Sequence, residues 1–515
     1  MASLRDNTLR REAISLSYLC RILHFIGGQL TKTIGRPLRL FFVPLLLLSR
    51  VPPLLALVVA VLPIRRNAGE NGKAFRLQVG NILLHKDCPE QAWKWTQRVL
   101  RAGVDSIDEY FLGAVCLYQG LGRPADAASL FARVNQRNVD RARSLGLGSA
   151  PYRVVDKSWT GHLGDLATLD YVIKLGILEG RRPEDTILYL PPGSQVANKF
   201  LLQQIVTRLR LVEGLEDLPF VAAGAEALQV HYQFPRLPDG RTSYFWEIAS
   251  DTYKRWEQEG RGPLFALPVE IAERGWAALR RAGIPKDAWF VALHVREGRW
   301  DGRSAGMHGI RNADLSTYFP AIAAITRRGG WVLRMGDPSM RPLPPIPNVV
   351  DYCHSEMRAD WMDIFIVACC RFMVATISGP AFVAPLYGTR SVLTNWWPPA
   401  QRPWLRSDIF IPKLARKTPS GRYLTISEWL CEPVSYCYSR KYLEGHEGIQ
   451  IEDNDSELIR DAVEEMLSRA DQNQEMYSDV SVSRLRADKL YEAHGISGMS
   501  EISSGFLRRY ADLIV

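Results

Sequence analysis

The 515-residue chain reads as an α/β protein with two parallel-sheet units, on three observations. From about residue 150, short apolar runs alternate with helix-like segments, the order that builds a parallel sheet covered by helices. A second such series begins near Ala288, and a connector with Gly262, Pro263 and Pro268 separates the two. Three runs of the second series end in polar residues, and in open α/β sheets ligands bind at the carboxyl ends of strands. These are Trp289-Phe290-Val291-Ala292-Leu293 before His294-Val295-Arg296-Glu297, Gly330-Trp331-Val332-Leu333 before Arg334-Met335-Gly336-Asp337, and Arg371 to Ile377 before Ser378-Gly379-Pro380.

Along the chain, residues 1–35 form a first segment: Ile14, Leu16, Tyr18, Leu19, Ile22, Leu23 and Ile26 recur near helical spacing beside Arg10, Arg11 and Arg21. This is compatible with a basic amphipathic helix, although such a stripe is more often ordinary core packing. Residues 36–66 hold an apolar run at 40–64, long enough to span a bilayer, which takes ~20 residues. Arg50 and Pro52-Pro53 interrupt it, and Arg36, Arg39, Arg65 and Arg66 flank it. A re-entrant hairpin or interfacial anchor accounts for those interruptions best; a true span and a buried soluble segment are the alternatives. The Met1 region is charged and lacks a signal-peptide pattern.

Residues 67–148 read as paired helices. Tyr110 to Tyr118, a turn at Gly120 to Pro124 and Ala125 to Phe131 resemble a tetratricopeptide repeat, which would serve as spacer or as docking surface for a protein partner; a generic helical hairpin fits equally. Residues 149–280 would be the first sheet unit, with strands at 152–155 and 186–190 and helices at 166–175 and 198–209. Residues 281–445 would be the second, and 446–515 closing helices at 455–470 and roughly 483–513.

Composition bounds the function. Hydrophobic content of 47% with 23% charged residues describes a folded protein. The net charge of +9 suits an anionic partner such as a membrane surface or a phosphorylated ligand. No nucleic-acid motif appears, so nucleic acid is not expected. The eight cysteines lack zinc spacing and several sit in apolar runs, as buried free thiols do.

Arg296 at a strand end suits bidentate, always-charged contact with a pyrophosphate; its dull alternative is a surface ion pair. His294 is either a ligand contact or a satisfied core histidine. Asp337 either accepts hydroxyl groups or caps the Pro338-Ser339 turn. Glu297 and Asp314 are candidate general bases, although a solvated carboxylate is the commoner state of each. Ser378 and Gly379 open a helix whose N-terminus is an anion site. Gly161 and Gly164, around His162, would let backbone approach a donor or acceptor, or belong to a bland loop. His294 with Glu297, and Cys353 with His354, are incomplete ligand sets, so neither metal nor cofactor is expected.

His294-Val295-Arg296, Gly336-Asp337-Pro338-Ser339 and Thr376-Ile377-Ser378 resemble motifs of the core, protein-O and nodulation-type fucosyltransferases. The His-Val-Arg-Glu and Arg-Met-Gly-Asp-Pro-Ser-Met signatures, with a tetratricopeptide-like part before them, also resemble a group of bacterial glycosyltransferases. The resemblance covers roughly 150–430. It implies a GT-B fold: two Rossmann-like domains facing a cleft, the first (149–280) taking the acceptor and the second (281–445) the nucleotide sugar. It further implies that Arg296 contacts the donor pyrophosphate; Glu297, read from its place beside Arg296 and not from the resemblance, is the second candidate catalytic residue. His294, Asp337, Ser339, Thr376, Ser378 and Gly379 would line the donor site, and Gly161, His162 and Gly164 the acceptor or donor loop. Such enzymes invert without metal. The expected reaction is sugar transfer from a nucleoside diphosphate sugar, GDP-linked among the options, to a glycolipid or surface-polysaccharide acceptor at the cytoplasmic face of the inner membrane. Glu297-Gly298-Arg299 departs from the fucosyltransferase pattern, where a second basic residue and an Asp follow Arg296. The alternatives are a sugar-nucleotide epimerase of the same shape and a non-catalytic helical-repeat scaffold.

Overall fold

The computed structural model describes residues 69–103, 106–237, 239–298, 306–471 and 480–515. The segments at 1–35 and 36–66, with the membrane readings placed on them, lie outside the described residues. Among the described residues no helix is long and apolar enough to cross a membrane.

Four helices come first: α1 (Gly69–His85), α2 (Pro89–Arg101), α3 (Ile107–Val115) and α4 (Pro124–Ser144). Pro89 and Pro124 open their helices in the first turn, where a missing N–H costs nothing. A π-turn at Cys116–Gly120 ends α3. Gly122 follows at φ +61°, and a Cβ there would lie 1.8 Å from the carbonyl oxygen of Pro433. Phe111, Tyr118 and Phe131 of these helices pack on His231, Phe234 and Tyr244, with Tyr118 and Tyr244 stacked at 3.9 Å. The Tyr438 amide donates to the carbonyl of Gln119 at 2.6 Å. The chain's own segments thus cover this aromatic face.

The first sheet has order β1 (Arg153–Asp156), β2 (Thr186–Tyr189), β3 (Arg210–Val212), all parallel. The helix α5 (Leu163–Leu178) joins β1 to β2, and α6 (Lys199–Ile205) joins β2 to β3. Asn198 starts α6 by accepting the Leu201 amide at 2.7 Å. Next comes α7 (Phe245–Gln258), then the predicted connector, then α8 (Val269–Arg281). Trp276 of α8 packs edge-on against Phe290 and Phe365, so α8 belongs with the second sheet rather than with 149–280.

That sheet contains β4 (Phe290–His294), β5 (Trp331–Arg334), β6 (Val349–Val350), β7 (Met373–Ala375), β8 (Ser391–Trp396) and β9 (Ile409–Pro412). The antiparallel pair β10 (Leu414–Lys417) and β11 (Ile449–Glu452) stands apart, and β12 (Glu501–Ile502) returns to the sheet edge. The seven strands run parallel in the order β12-β9-β8-β7-β4-β5-β6. β4, β7 and β8 are buried at every residue, which is why they read as continuous apolar runs. Helices α9 (Phe319–Arg327), α10 (Asp360–Cys369), α11 (Gly379–Tyr387), α12 (Ser456–Ala470) and α13 (Ser481–Ala493) cover this sheet and its edge. Residues 446–515 are therefore not helices alone: β12 joins the second sheet and β11 pairs with β10.

Chain order departs from β4 in both directions: β5 and β6 lie on one side, β7, β8 and β9 on the other. The connections after β4 and β7 therefore run to opposite sides of the sheet, which makes the β4–β7 edge the switch point where doubly wound sheets take ligands.

Packing at α8 is close enough to test. A Cβ on Gly275 would sit 2.3 Å from Cδ2 of the fully buried Phe365. Gly275→Ala should destabilise by about 1–3 kcal/mol from overpacking, outweighing a helix-propensity gain of up to about 1 kcal/mol. Urea denaturation should show a lower midpoint with unchanged slope.

Candidate functional site at the β4–β7 crevice

β4 and β7 pair through Ala292↔Met373, Leu293↔Val374 and His294↔Ala375, so the two loops leave the sheet side by side. Side chains then lock them. The Arg296 amide donates to Thr376 Oγ1 at 2.9 Å, and the Thr376 amide to the His294 carbonyl at 3.1 Å. His294 Nδ1 and Ser378 Oγ hydrogen bond at 3.0 Å. Burial, with the charges of Arg334 and Arg296, pushes the His294 imidazole down to about 3. The structure thus brings His294, Arg296, Thr376, Ser378 and Gly379 together. Thr376 Oγ1 accepts the Arg296 amide and Ser378 Oγ is engaged with His294, so both hydroxyls help to hold the two loops together.

The Arg296 guanidinium, 6% exposed as a residue, donates from NH1 to the His308 carbonyl at 3.1 Å and to Asn312 Oδ1. Lys413, fully buried, donates to the Asn312 carbonyl at 3.0 Å and to Asp453 at 2.5 Å. A cation on β10's leading edge thus steadies the turn that steadies Arg296. The sequence offered no local signal for Asn312 or Lys413, since both act only through the fold.

Glu297 departs from its expected state. It is 6% exposed, accepts the Arg341 amide at 2.9 Å, and lies 3.5 Å from Arg334 and 3.4 Å from Arg341 as an ion partner. It is neither solvated nor turned toward an open base position. Asp314 is exposed and caps the following turn through the Ser316 amide at 3.0 Å, which holds its carboxyl below the usual range. Asp337 likewise accepts the Ser339 amide at 2.9 Å, its turn-capping role. The Ser339 residue is exposed. β5 neighbours β4, so this loop stands on the same edge of the sheet.

The 161–164 loop meets the crevice from the first unit. A Cβ on Gly379 would lie 3.1 Å from the Gly164 amide nitrogen, and one on Gly164 3.1 Å from Phe382. The missing side chains of Gly164 and Gly379 therefore serve close approach of α5 to α11, and two helix N-termini end together. Around Gly161 there is open space. His162 precedes α5 with Nδ1 3.3 Å from Asp165. Asp165 is the carboxylate that the sequence reading left without a role; the signal was its place in the first turn of the helix after β1.

Asp351, Cys353 and His354 are a group that could hold a metal, with ligand atoms within 4.8 Å of one another. Arg334 already occupies it: NH1 donates to Asp351 at 3.0 Å and to Cys353 Sγ at 2.6 Å. His354 Nε2 reaches the Pro338 carbonyl at 3.1 Å, so the cluster braces the Asp337 loop. The seven described cysteines are all free thiols; five are buried, Cys369 is half-buried and Cys431 is exposed.

No family model matches the chain, and no curated protein does. Among solved structures it is similar to the dodecameric iron-containing glycosyltransferase TibC of enterotoxigenic E. coli H10407, at 13% identity over 47% of this chain and 57% of that one, TM-score 0.28. It is similar to a glycosyl transferase family 9 structure from Veillonella parvula DSM 2008, at 11% identity over 51% and 85%, TM-score 0.33. E. coli heptosyltransferase WaaC gives 11% identity over 54% and 96%, TM-score 0.23. The chain spans somewhat more than half the length of TibC. These likenesses are loose, and the functional reading stands on the site itself.

The neutral His294 makes a testable acid limit. In the unfolded chain a histidine titrates near 6.5, whereas in the fold this one stays unprotonated to about 3. As pH falls through that window the unfolded chain takes up a proton that the folded chain does not, so stability falls. His294→Asn should shrink the loss between pH 7 and pH 5 by up to about 2 kcal/mol, at roughly 1.4 kcal/mol per pH unit. Urea unfolding at both pH values measures it.

Proposed function

We propose that the chain is a glycosyltransferase of GT-B type. In this reading it transfers a sugar, with inversion and without a metal in the transfer step, from a nucleoside diphosphate sugar to a glycolipid or surface-polysaccharide acceptor. The observation that carries the reading is the meeting of the Arg296 loop and the α11 N-terminus at the sheet's switch point. A guanidinium supplies a full positive charge, and a helix terminus about half of one. Both act where charge builds on a departing diphosphate.

Chemically, the acceptor hydroxyl oxygen attacks the anomeric carbon opposite the diphosphate. The bond from that carbon to the phosphate oxygen breaks, and its electron pair leaves with the nucleoside diphosphate. A base removes the hydroxyl proton. Asp165 is our candidate, because the other nearby carboxylates are committed: Asp156 accepts Ser158 and Gln229, and Glu297 faces Arg334 and Arg341. His162 beside it would orient it. Glu297 then holds the Arg296 loop in place rather than reacting. Work at the cytoplasmic membrane face is supported by the net charge of +9 and by the arginines bracketing 40–64.

A thermal-shift series with GDP, UDP, ADP, CDP and dTDP tests the donor reading. At least one should raise the melting temperature, and a flat response to all five overturns it. Arg296→Ala should remove that response and cut transfer by roughly 10²–10³-fold. Asp165→Asn should keep nucleotide binding while turnover falls by roughly 10²–10⁴-fold; a fully active D165N protein would require a different base.

A further inference from the structure

The turn after β4 carries a second guanidinium that the transfer scheme leaves unused. Arg296 NH1 donates to the carbonyl of His308, three residues before Arg311, and to Oδ1 of Asn312, the residue after it. Its charge is therefore pinned across the same short 3-10 turn, Met307–Arg311, that bears Arg311. Arg311 is half-buried, its guanidinium carbon 5.9 Å from the Tyr438 ring centre. Its Nε is buried without a hydrogen-bond partner, and among the described residues no carboxylate pairs with it. Leaving a charged donor unsatisfied costs more than a net hydrogen bond returns, so the arrangement is one that an incoming oxyanion would complete.

The surroundings bring several segments to this turn. His308 Nδ1 is also buried and unpartnered, and the imidazole is held far below its ordinary value by burial and by Arg311, Arg296, His85 and His162. Gly306, at the head of the turn, lies against the His85 carbonyl, where a Cβ would come within 2.7 Å. Tyr244, from the first unit, feels both Arg311 and Asp165. The α1 terminus, the first unit and the second unit thus converge on this turn.

We propose that Arg311 is a second oxyanion-binding group of the site, and that Arg296 and Arg311 together select a diphosphate over a monophosphate. This rests on the donor-site reading above. Two phosphoryl groups in sequence need two charged contacts, and the Arg296 bonds to the 308–312 turn put both guanidinium groups on one short segment. The recognised chemistry is the pyrophosphate, whatever nucleoside it bears.

Calorimetric titration of the full chain with inorganic pyrophosphate and with inorganic phosphate separates the possibilities. The wild type should prefer pyrophosphate. Arg311→Met, which keeps an unbranched stem against Tyr438, should weaken pyrophosphate roughly 10- to 100-fold, the worth of one charge-assisted contact. It should change phosphate binding by no more than about threefold, the usual scatter around a lost exposed charge. Arg311→Lys, retaining the charge without the planar fork, should fall between them and carries the test if the Met variant melts early. Unchanged pyrophosphate affinity in a folded variant overturns the role of Arg311 alone. A wild type that binds neither pyrophosphate nor any of the five nucleotides overturns the donor reading, and the proposal with it.

Discussion

Everything at the carboxyl edge of the second sheet depends on one buried cation. Arg334 ends β5 with no exposure at all; its Nε is buried without a hydrogen-bond partner, so the burial of its charge rests on the groups that meet NH1 and NH2. Glu297 from the loop after β4, and Asp351 and Cys353 from the turn after β6, meet it. Glu297 and Asp351 in turn accept the amides of Arg341 and Leu343 from the loop after β5. Three loops are thereby tied to one charge. Breaking such a pair typically costs 3–5 kcal/mol because the partner is left buried and alone, so the loops hold one arrangement, and Arg296 inherits its position from its neighbour Glu297.

The same economy runs through the β4–β7 crevice. Residues that resemble ligand contacts in the sequence are mostly consumed in holding the backbone: Thr376 takes the Arg296 amide, Ser378 takes His294, and Gly164 and Gly379 let two helices touch. What remains for chemistry is charge and backbone dipole, delivered at a point fixed by short hydrogen bonds. Such preorganisation is what electrostatic catalysis requires, since groups already oriented cost nothing to reorganise when charge develops.

The second sheet was legible because its central strands are buried on both faces and so spell continuous apolar runs ending in polar signatures. Strands at 290–294, 331–334 and 373–375 follow from that alone. β3 did not, because Arg210-Leu211-Val212 is a three-residue strand of which only Val212 is buried. β12 was hidden for a like reason: two residues between helical patterns carry no period, and only pairing with β9 makes them a strand. In the site, Arg296 was visible because it follows an apolar run. Arg334 was read only as part of a signature, since nothing local distinguishes a guanidinium that will be buried. Asn312 and Lys413 were silent because their partners lie in distant segments.

Protonation finally separates the two kinds of positive group in this region. His294 and His308 are buried among arginines, and both burial and like charge oppose a proton. Neither imidazole can therefore share the positive charge of the turn at neutral pH, and that charge rests on Arg296 and Arg311. The anion site proposed here, built in this way, keeps its strength across the neutral range. Its acid limit is set instead by the fold, because the histidines that refuse protons inside the protein accept them once it unfolds. The buried neutral imidazoles beside the guanidinium groups thus separate binding from pH while making the scaffold, not the site, the acid-sensitive element.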